Sequence, residues 1–183
     1  MPIISPGGGG SSGAISGVTV SGTAASGQVP VASSSSAGAW GYPPGFEINY
    51  TQATATVNIG STTEATGTTI LSPGAITFDG TAVLVTFFSP DVRLPSAAAG
   101  NNVIVSLFES ATQITRLAVV ITPSVTAQGG VPICAQYRFT PTAAAHTYTV
   151  TAVASSLTGT PSVGAGAGGT ATDAPMFVRF QKA

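Results

Sequence analysis

Residues 140–153 read TPTAAAHTYTVTAV, a turn followed by the cleanest alternating stretch in the chain. From Ala145 onward, His146, Tyr148, Val150 and Ala152 fall on one side, and Thr147, Thr149 and Thr151 on the other. Successive side chains of a strand point to opposite faces, so the stretch predicts a strand with one core face and one threonine face. Thr and Val are β-branched and Tyr is aromatic, so local propensity agrees with the period. One wetted face implies an antiparallel sheet, whose buried face a second sheet has to cover.

The same period recurs on both sides. Downstream, Met176, Val178 and Phe180 alternate with Phe177, Arg179 and Gln181. This last strand is expected to lie centrally. Upstream, Val131, Ile133, Ala135, Tyr137 and Phe139 alternate with Cys134, Gln136 and Arg138, and Val103, Val105 and Leu107 share a face. Leu117, Val119 and Ile121 are expected to share another. Ala82–Phe88 (AVLVTFF) is apolar at nearly every position and predicts a strand covered on both faces, ended by Ser89-Pro90. Thr62–Leu71 reads as extended with a bulge at Gly67, Pro73-Gly74 as a turn, and Asp79-Gly80 as a two-residue hairpin. Leu157–Asp173, with GAGAGG at 164–169, reads as a glycine-rich loop. Short strands punctuated by turns, with no helical period, define an all-β, antiparallel two-sheet sandwich of the jelly-roll kind.

Residues 1–45 differ in composition from the rest. PGGGGSSG at 6–13 and Ser33–Ser36 have the composition of a flexible linker, although VTVSGT at 18–23 could pair as a short strand. Trp40 and Tyr42, beside Pro43-Pro44, suggest an arm that orders against a partner, with these two rings as its anchors. The division expected is therefore an N-terminal attachment arm over 1–45 and a β-sandwich over 46–183.

Composition excludes several functions. Charged residues make up 6% of the chain and the formal net charge is -1, against roughly 25% charged in ordinary domains. There is no basic patch to meet the phosphates of a nucleic acid. Mean hydropathy is +0.41, but no apolar run approaches the roughly 18 residues of a spanning helix, and regular hairpins with aromatic girdles are lacking. The low charge instead implies apolar surface hidden in an oligomer. MPIISPGGGG lacks the basic and apolar regions of a signal peptide. Cys134 is the only cysteine, which precludes an intrachain disulfide.

Site chemistry is sparse. His146 is the only histidine, and no GxSxG elbow accompanies it. Its place on an apolar strand face favours a packed, hydrogen-bonded histidine. Glu47, Glu64, Asp79, Asp91, Glu109 and Asp173 match neither a calcium loop nor a glycosidase pair. One Cys and one His do not make a zinc site. GAGAGG lacks the Lys-Ser/Thr of a phosphate loop. No catalytic residue, metal or cofactor is expected.

In order along the chain, TTEATGTTIL, AITFDGTAVLVTFFSP, LAVVITP, FTPTAAAHTYTVTAV, VGAGAGG and APMFVRFQK resemble the C-terminal module of minor tail or fibre-like structural proteins of phages that infect actinobacteria. The upstream VTVSGTAASGQVPVASSSSAGAWG is similar to a segment found before such modules. The resemblance spans about residues 15–182 and rests on the order of several phrases, none of them a catalytic fingerprint. It implies a trimeric jelly roll related in shape to tumour necrosis factor and C1q heads. It also implies a virion component made in the host cytoplasm, bound through residues 1–45 to other phage proteins, with the sandwich free to meet a glycan or protein of the host surface. Longer relatives carry collagen-like shafts, where this chain has only the glycine run at 7–10; a short knob therefore stands beside a tail fibre. A capsid decoration or head-fibre protein and a carbohydrate-binding module are the alternatives. For the last, Trp40, Tyr42 and Tyr50 are the only aromatic cluster legible in the sequence.

Overall fold

The computed structural model describes residues 13–15, 18–24, 26–32, 34, 36–95, 100–121 and 130–183. The glycine run at 7–10, residues 96–99 of the expected loop after Arg93, and 122–129 of the next loop lie outside them. The chain divides into two compact units, Met1–Phe46 and Glu47–Ala183.

The first unit carries β1 (Gly13–Ile15), β2 (Val18–Ser21), β3 (Val29–Ala32) and β4 (Ala37–Gly41). They form one sheet in the order β1-β2-β4-β3, with β2 and β4 parallel and the outer pairs antiparallel. The residues expected as an arm thus pair with one another. Small residues let these backbones bond despite little apolar burial; Val20 is this unit's only buried hydrophobic among the described residues.

In the second unit the strands are β5 (Glu47–Ala53), β6 (Val57–Asn58), β7 (Thr68–Thr77), β8 (Val83–Arg93), β9 (Asn102–Glu109), β10 (Thr112–Ile121), β11 (Gly130–Phe139), β12 (Ala145–Ala154), β13 (Ser162–Gly164) and β14 (Met176–Lys182). One sheet runs β10-β9-β12-β7. The other runs β5-β14-β8, with β11 on the far side of β8 and the short β13 and β6 continuing from it. Every pairing is antiparallel. β5 pairs with β14, β7 with β12, β8 with β11 and β9 with β10, the nesting of one long hairpin rolled into two sheets. That is the jelly roll, and β14 is central in its sheet.

The period-2 reading places the core faces of β12, β9 and β14 correctly, whereas β8, expected to be covered on both faces, is buried on one and only partly covered on the other, where Leu84 and Phe88 are half-buried. Tyr148 and Val150 from β12, Val103, Val105 and Leu107 from β9, Val83, Val85 and Phe87 from β8, and Met176, Val178 and Phe180 from β14 are all fully buried. Tyr148 sits among rings, 5.3 Å from Phe180, 5.8 Å from Phe78 and 5.9 Å from Phe139.

Several local readings are corrected by tertiary pairing. Pro73-Gly74 makes no turn; β7 runs through it, and the register against β12 shifts between Tyr148 and Val150. The extra residue is a bulge, with Gly74 at φ +78 taking up the left-handed backbone. Ser89-Pro90 does not end β8. The ladder to β11 skips there, between Val131 and Ile133, so proline occupies a bulge where no ladder N–H is required. Asp79-Gly80 is a corner between sheets, since β7 and β8 belong to different ones. Asp79 Oδ1 accepts from Thr81 N–H at 3.1 Å, and Lys182 Nζ donates to Asp79 Oδ2 at 2.5 Å.

Thr62–Leu71 contains a 3-10 turn, Glu64–Thr66, before β7 begins. Gly67 leaves that turn against Thr151 and Val153, where a Cβ would lie 3.0 Å from Thr151 Cβ. The threonine face is therefore only partly wetted: Thr151 is buried, while Thr147 is exposed. A register shift between Arg116 and Ala118 breaks the alternation of β10, so Leu117 packs on the core while Val119 and Ile121 face outward. The 157–173 segment is not all loop, because β13 pairs there with β8 and β6.

Candidate functional site

The two rings expected to anchor an arm are engaged within the first unit. Trp40 Nε1–H donates to the Gly22 carbonyl at 3.0 Å. Tyr42 stacks on Phe46, with centroids 4.2 Å apart and planes 16° from parallel. Both side chains remain partly exposed.

Tyr50 belongs elsewhere. Residues alternate across β5, β14, β8 and β11, and those not facing the core form the outer face of that sheet. The register sets Tyr50 opposite Arg179, Arg179 opposite Thr86, and Thr86 opposite Gln136. The adjacent rung sets Gln52, Phe177, Phe88 and Cys134 side by side. Side chains directly opposite on antiparallel strands are close enough to pack. Three rings meet across these rungs: Phe177 and Phe88 directly opposite at 5.5 Å and 28°, and Tyr50 and Phe177 on the diagonal at 5.4 Å and 31°.

The strip lies on the surface. Tyr50 is 43% exposed, and Phe88 and Phe177 are half-buried. Polar groups line it. Tyr50 Oη–H donates to Gln52 Oε1 at 3.1 Å, and Gln136 Nε2–H donates to Thr86 Oγ1 at 3.3 Å. The Arg179 side chain is half-buried beside the rings, and its Nε is shut off from solvent without a hydrogen-bond partner. An orphan donor of this kind costs free energy. Sequence reading missed the strip because Tyr50, Phe88 and Phe177 lie far apart in the chain; the outward phase of three strands was the available signal.

Expected at the core face, His146 stands at its rim. Its Nδ1–H donates to Glu109 Oε1 at 2.6 Å, while Nε2 lies 3.1 Å from both the carbonyl and the hydroxyl oxygen of Thr142. The carboxylate holds the imidazole pKa above its usual 6.5, against the opposing effect of burial. Thr142, His146 and Glu109 are in the order of a nucleophile, base and orienting acid. However, the Thr142 carbonyl at Nε2 is an acceptor, which favours a protonated ring that cannot act as a base. The arrangement clamps the turn that starts β12.

A second polar group covers the outer face of the other sheet. Glu64 accepts from Arg116 Nε at 2.8 Å and Nη2 at 2.5 Å, from Gln113 Nε2 at 3.1 Å and from Ser106 Oγ at 3.3 Å. The hydrogen bonds from Arg116 lead in holding the Glu64 carboxyl below its usual range. Cys134 is exposed. Among the described residues no group of three or more His, Cys, Asp or Glu could hold a metal, and no helix is long and apolar enough to cross a membrane.

Comparison with known proteins gives no family. No family model and no curated protein matches the chain. Among solved structures, an exo-beta-1,3-galactanase from Phanerochaete chrysosporium crystallised with beta-1,3-galactotriose is similar over 77% of this chain and 30% of its own, at 13% identity and a TM-score of 0.26. A likeness that low carries no argument about fold or activity. The jelly-roll assignment rests on the strand order itself.

Proposed function

We propose that this chain is a structural protein of a phage virion, a minor tail or short-fibre component without enzymatic activity. In this reading the first unit attaches to other virion proteins, and the jelly roll is presented as a homotrimer whose loops and faces meet the host surface. The observation that carries it is a sandwich left under-covered at its edges. Among the described residues, β10 and β11 each have a sheet neighbour on one side only. On and beside these edges Val119, Ile121, Val131 and Tyr137 are exposed. Long apolar edges invite pairing and are normally blunted by charge; β10 and β11 carry only Arg116 and Arg138. A second copy is the cover that a low-charge chain supplies for itself. The order of phage-like sequence phrases supports the virion setting.

Sedimentation of the isolated chain tests the assembly, with a trimer expected and a stable monomer at micromolar concentration contradicting it. Imaging of particles that carry a labelled chain tests the location. Density at the tail tip is expected; density over the capsid surface would make it a decoration or head-fibre protein, and absence from particles would end the reading.

A further inference from the structure

We infer that the outer face of the β5-β14-β8-β11 sheet is a glycan-binding platform, with Tyr50, Phe177 and Phe88 as its stacking surface and Arg179, Gln52 and Gln136 as its polar rim. The inference names the receptor chemistry for the proposed virion function and rests on that reading only for its biological setting. Three geometric facts carry it. First, the rings of Tyr50, Phe177 and Phe88 follow one another across adjacent strands at 5.4 and 5.5 Å, tilted by about 30° or less between neighbours. They form a gently curved strip, not a knob. Such a strip offers π-faces and ring edges to the apolar C–H faces of consecutive pyranose rings.

Second, the polar groups bordering the strip are those that hydroxyl groups need. Gln52 and Gln136 have amides that both donate and accept, and Arg179 has a guanidinium fork. Third, the strip holds one cation, Arg179, whose side chain is half-buried beside it. The rungs that hold the rings, from Tyr50 to Gln136 and from Gln52 to Cys134, contain no carboxylate. One cationic donor among amides selects a neutral or weakly acidic glycan over a polycation.

The test uses the full chain with a panel of soluble polysaccharides (β-glucan, galactan, mannan, arabinan), read by affinity electrophoresis and calorimetry. At least one is expected to bind. Tyr50→Ala and Gln52→Ala, both at exposed positions, should each weaken that binding by about tenfold or more, the effect of losing one good contact. Phe177→Ala should abolish it, and circular dichroism of each variant checks that the sandwich persists. Arg179→Lys, which keeps the charge and loses the fork, should weaken binding without changing the sedimentation profile. If no polysaccharide binds, or if Tyr50→Ala binds as the parent does, the inference is overturned. If Tyr50→Ala instead dissociates the oligomer, the strip is a subunit interface and the inference is again overturned. Particle imaging is independent of these outcomes, so failure of glycan binding and failure of the virion assignment are told apart.

Discussion

His146 Nδ1–H donates to Glu109 Oε1 at 2.6 Å, joining the start of β12 to the end of β9. The pair spans a rung of the sheet, because Tyr148, two residues on, is the one directly opposite Glu109. With Nε2 held at Thr142, the ring connects the 140–144 turn to the sheet. The folded state therefore prefers the imidazolium, and its pKa lies above 6.5.

This gives a pH dependence of definite sign. A raised pKa means that folding binds the proton more tightly, so the stabilisation is complete below the ordinary value of 6.5 and fades as pH rises through the higher folded value. Melting temperature measured from pH 5 to 9 should fall across that window for the parent. Glu109→Gln and His146→Asn should each flatten the fall. An unchanged slope in both variants would remove the clamp from the account.

Glu64 predicts the opposite end of the scale. Its carboxyl is held below 4.5, chiefly by hydrogen bonds from Arg116. A depressed pKa contributes stability above the unfolded value, and that contribution is lost as pH falls through the folded one. Glu64→Gln should lower the melting temperature at pH 7, and the gap to the parent should close in the acid limb. A gap that persists unchanged at pH 2 would mean that packing of the 3-10 turn, and not charge, sets the effect.

The core face of β12 is tested by truncation. Tyr148→Ala and Val150→Ala remove fully buried side chains and should cost about 2–5 kcal/mol, with Val at the low end. Thr149→Ala, half-buried on the other face, should cost clearly less. Tyr148→Phe is the sharper variant. The Tyr148 hydroxyl is buried without a partner, and desolvation followed by the nearby Glu109 charge pushes its pKa up to about 12. Removing it should leave stability unchanged or raised. Urea denaturation of the four proteins orders them, and a large loss in Tyr148→Phe would show that the hydroxyl has a partner after all.

Gly67 is expected to resist substitution. A Cβ there meets Thr151 Oγ1 at 2.9 Å and Val153 Cγ1 at 3.2 Å, and Thr151 and Val153 are both buried and cannot withdraw. Gly67→Val should destabilise by about 1–3 kcal/mol through overpacking. Gly67→Val combined with Thr151→Ala should recover part of that loss, a coupling that denaturation of the double-mutant set reads directly.

A chain beginning at Glu47 should fold by itself, since every member of the hydrophobic core lies within 47–183. Its thermal unfolding should remain a single cooperative transition, and the resemblance to virion modules leads us to expect that it will no longer incorporate into particles. Failure to fold would mean that the first unit supports the sandwich.

Alternation alone identified the strand that begins at Ala145 within 140–153, its core residues Tyr148 and Val150, the inward faces of β9 and β14, and the all-β class. Those follow from the two-residue period of an extended chain, a property of each segment in isolation. Tertiary structure decided what depends on a neighbour. Pro73-Gly74 and Ser89-Pro90 carry strong local signals for turn and stop, yet ladders on the adjacent strands carry the backbone through both as bulges. Asp79-Gly80 became a corner because β7 and β8 found different sheets. Thr151 went under cover because Gly67 allowed a turn to close over it. The strip Tyr50–Phe177–Phe88 is the furthest from local reading. Each ring merely points outward on its own strand, and only the rolled pairing that sets β14 between β5 and β8 brings the three together. Strand partners are chosen by burial of the whole core, a global free energy that no single segment encodes.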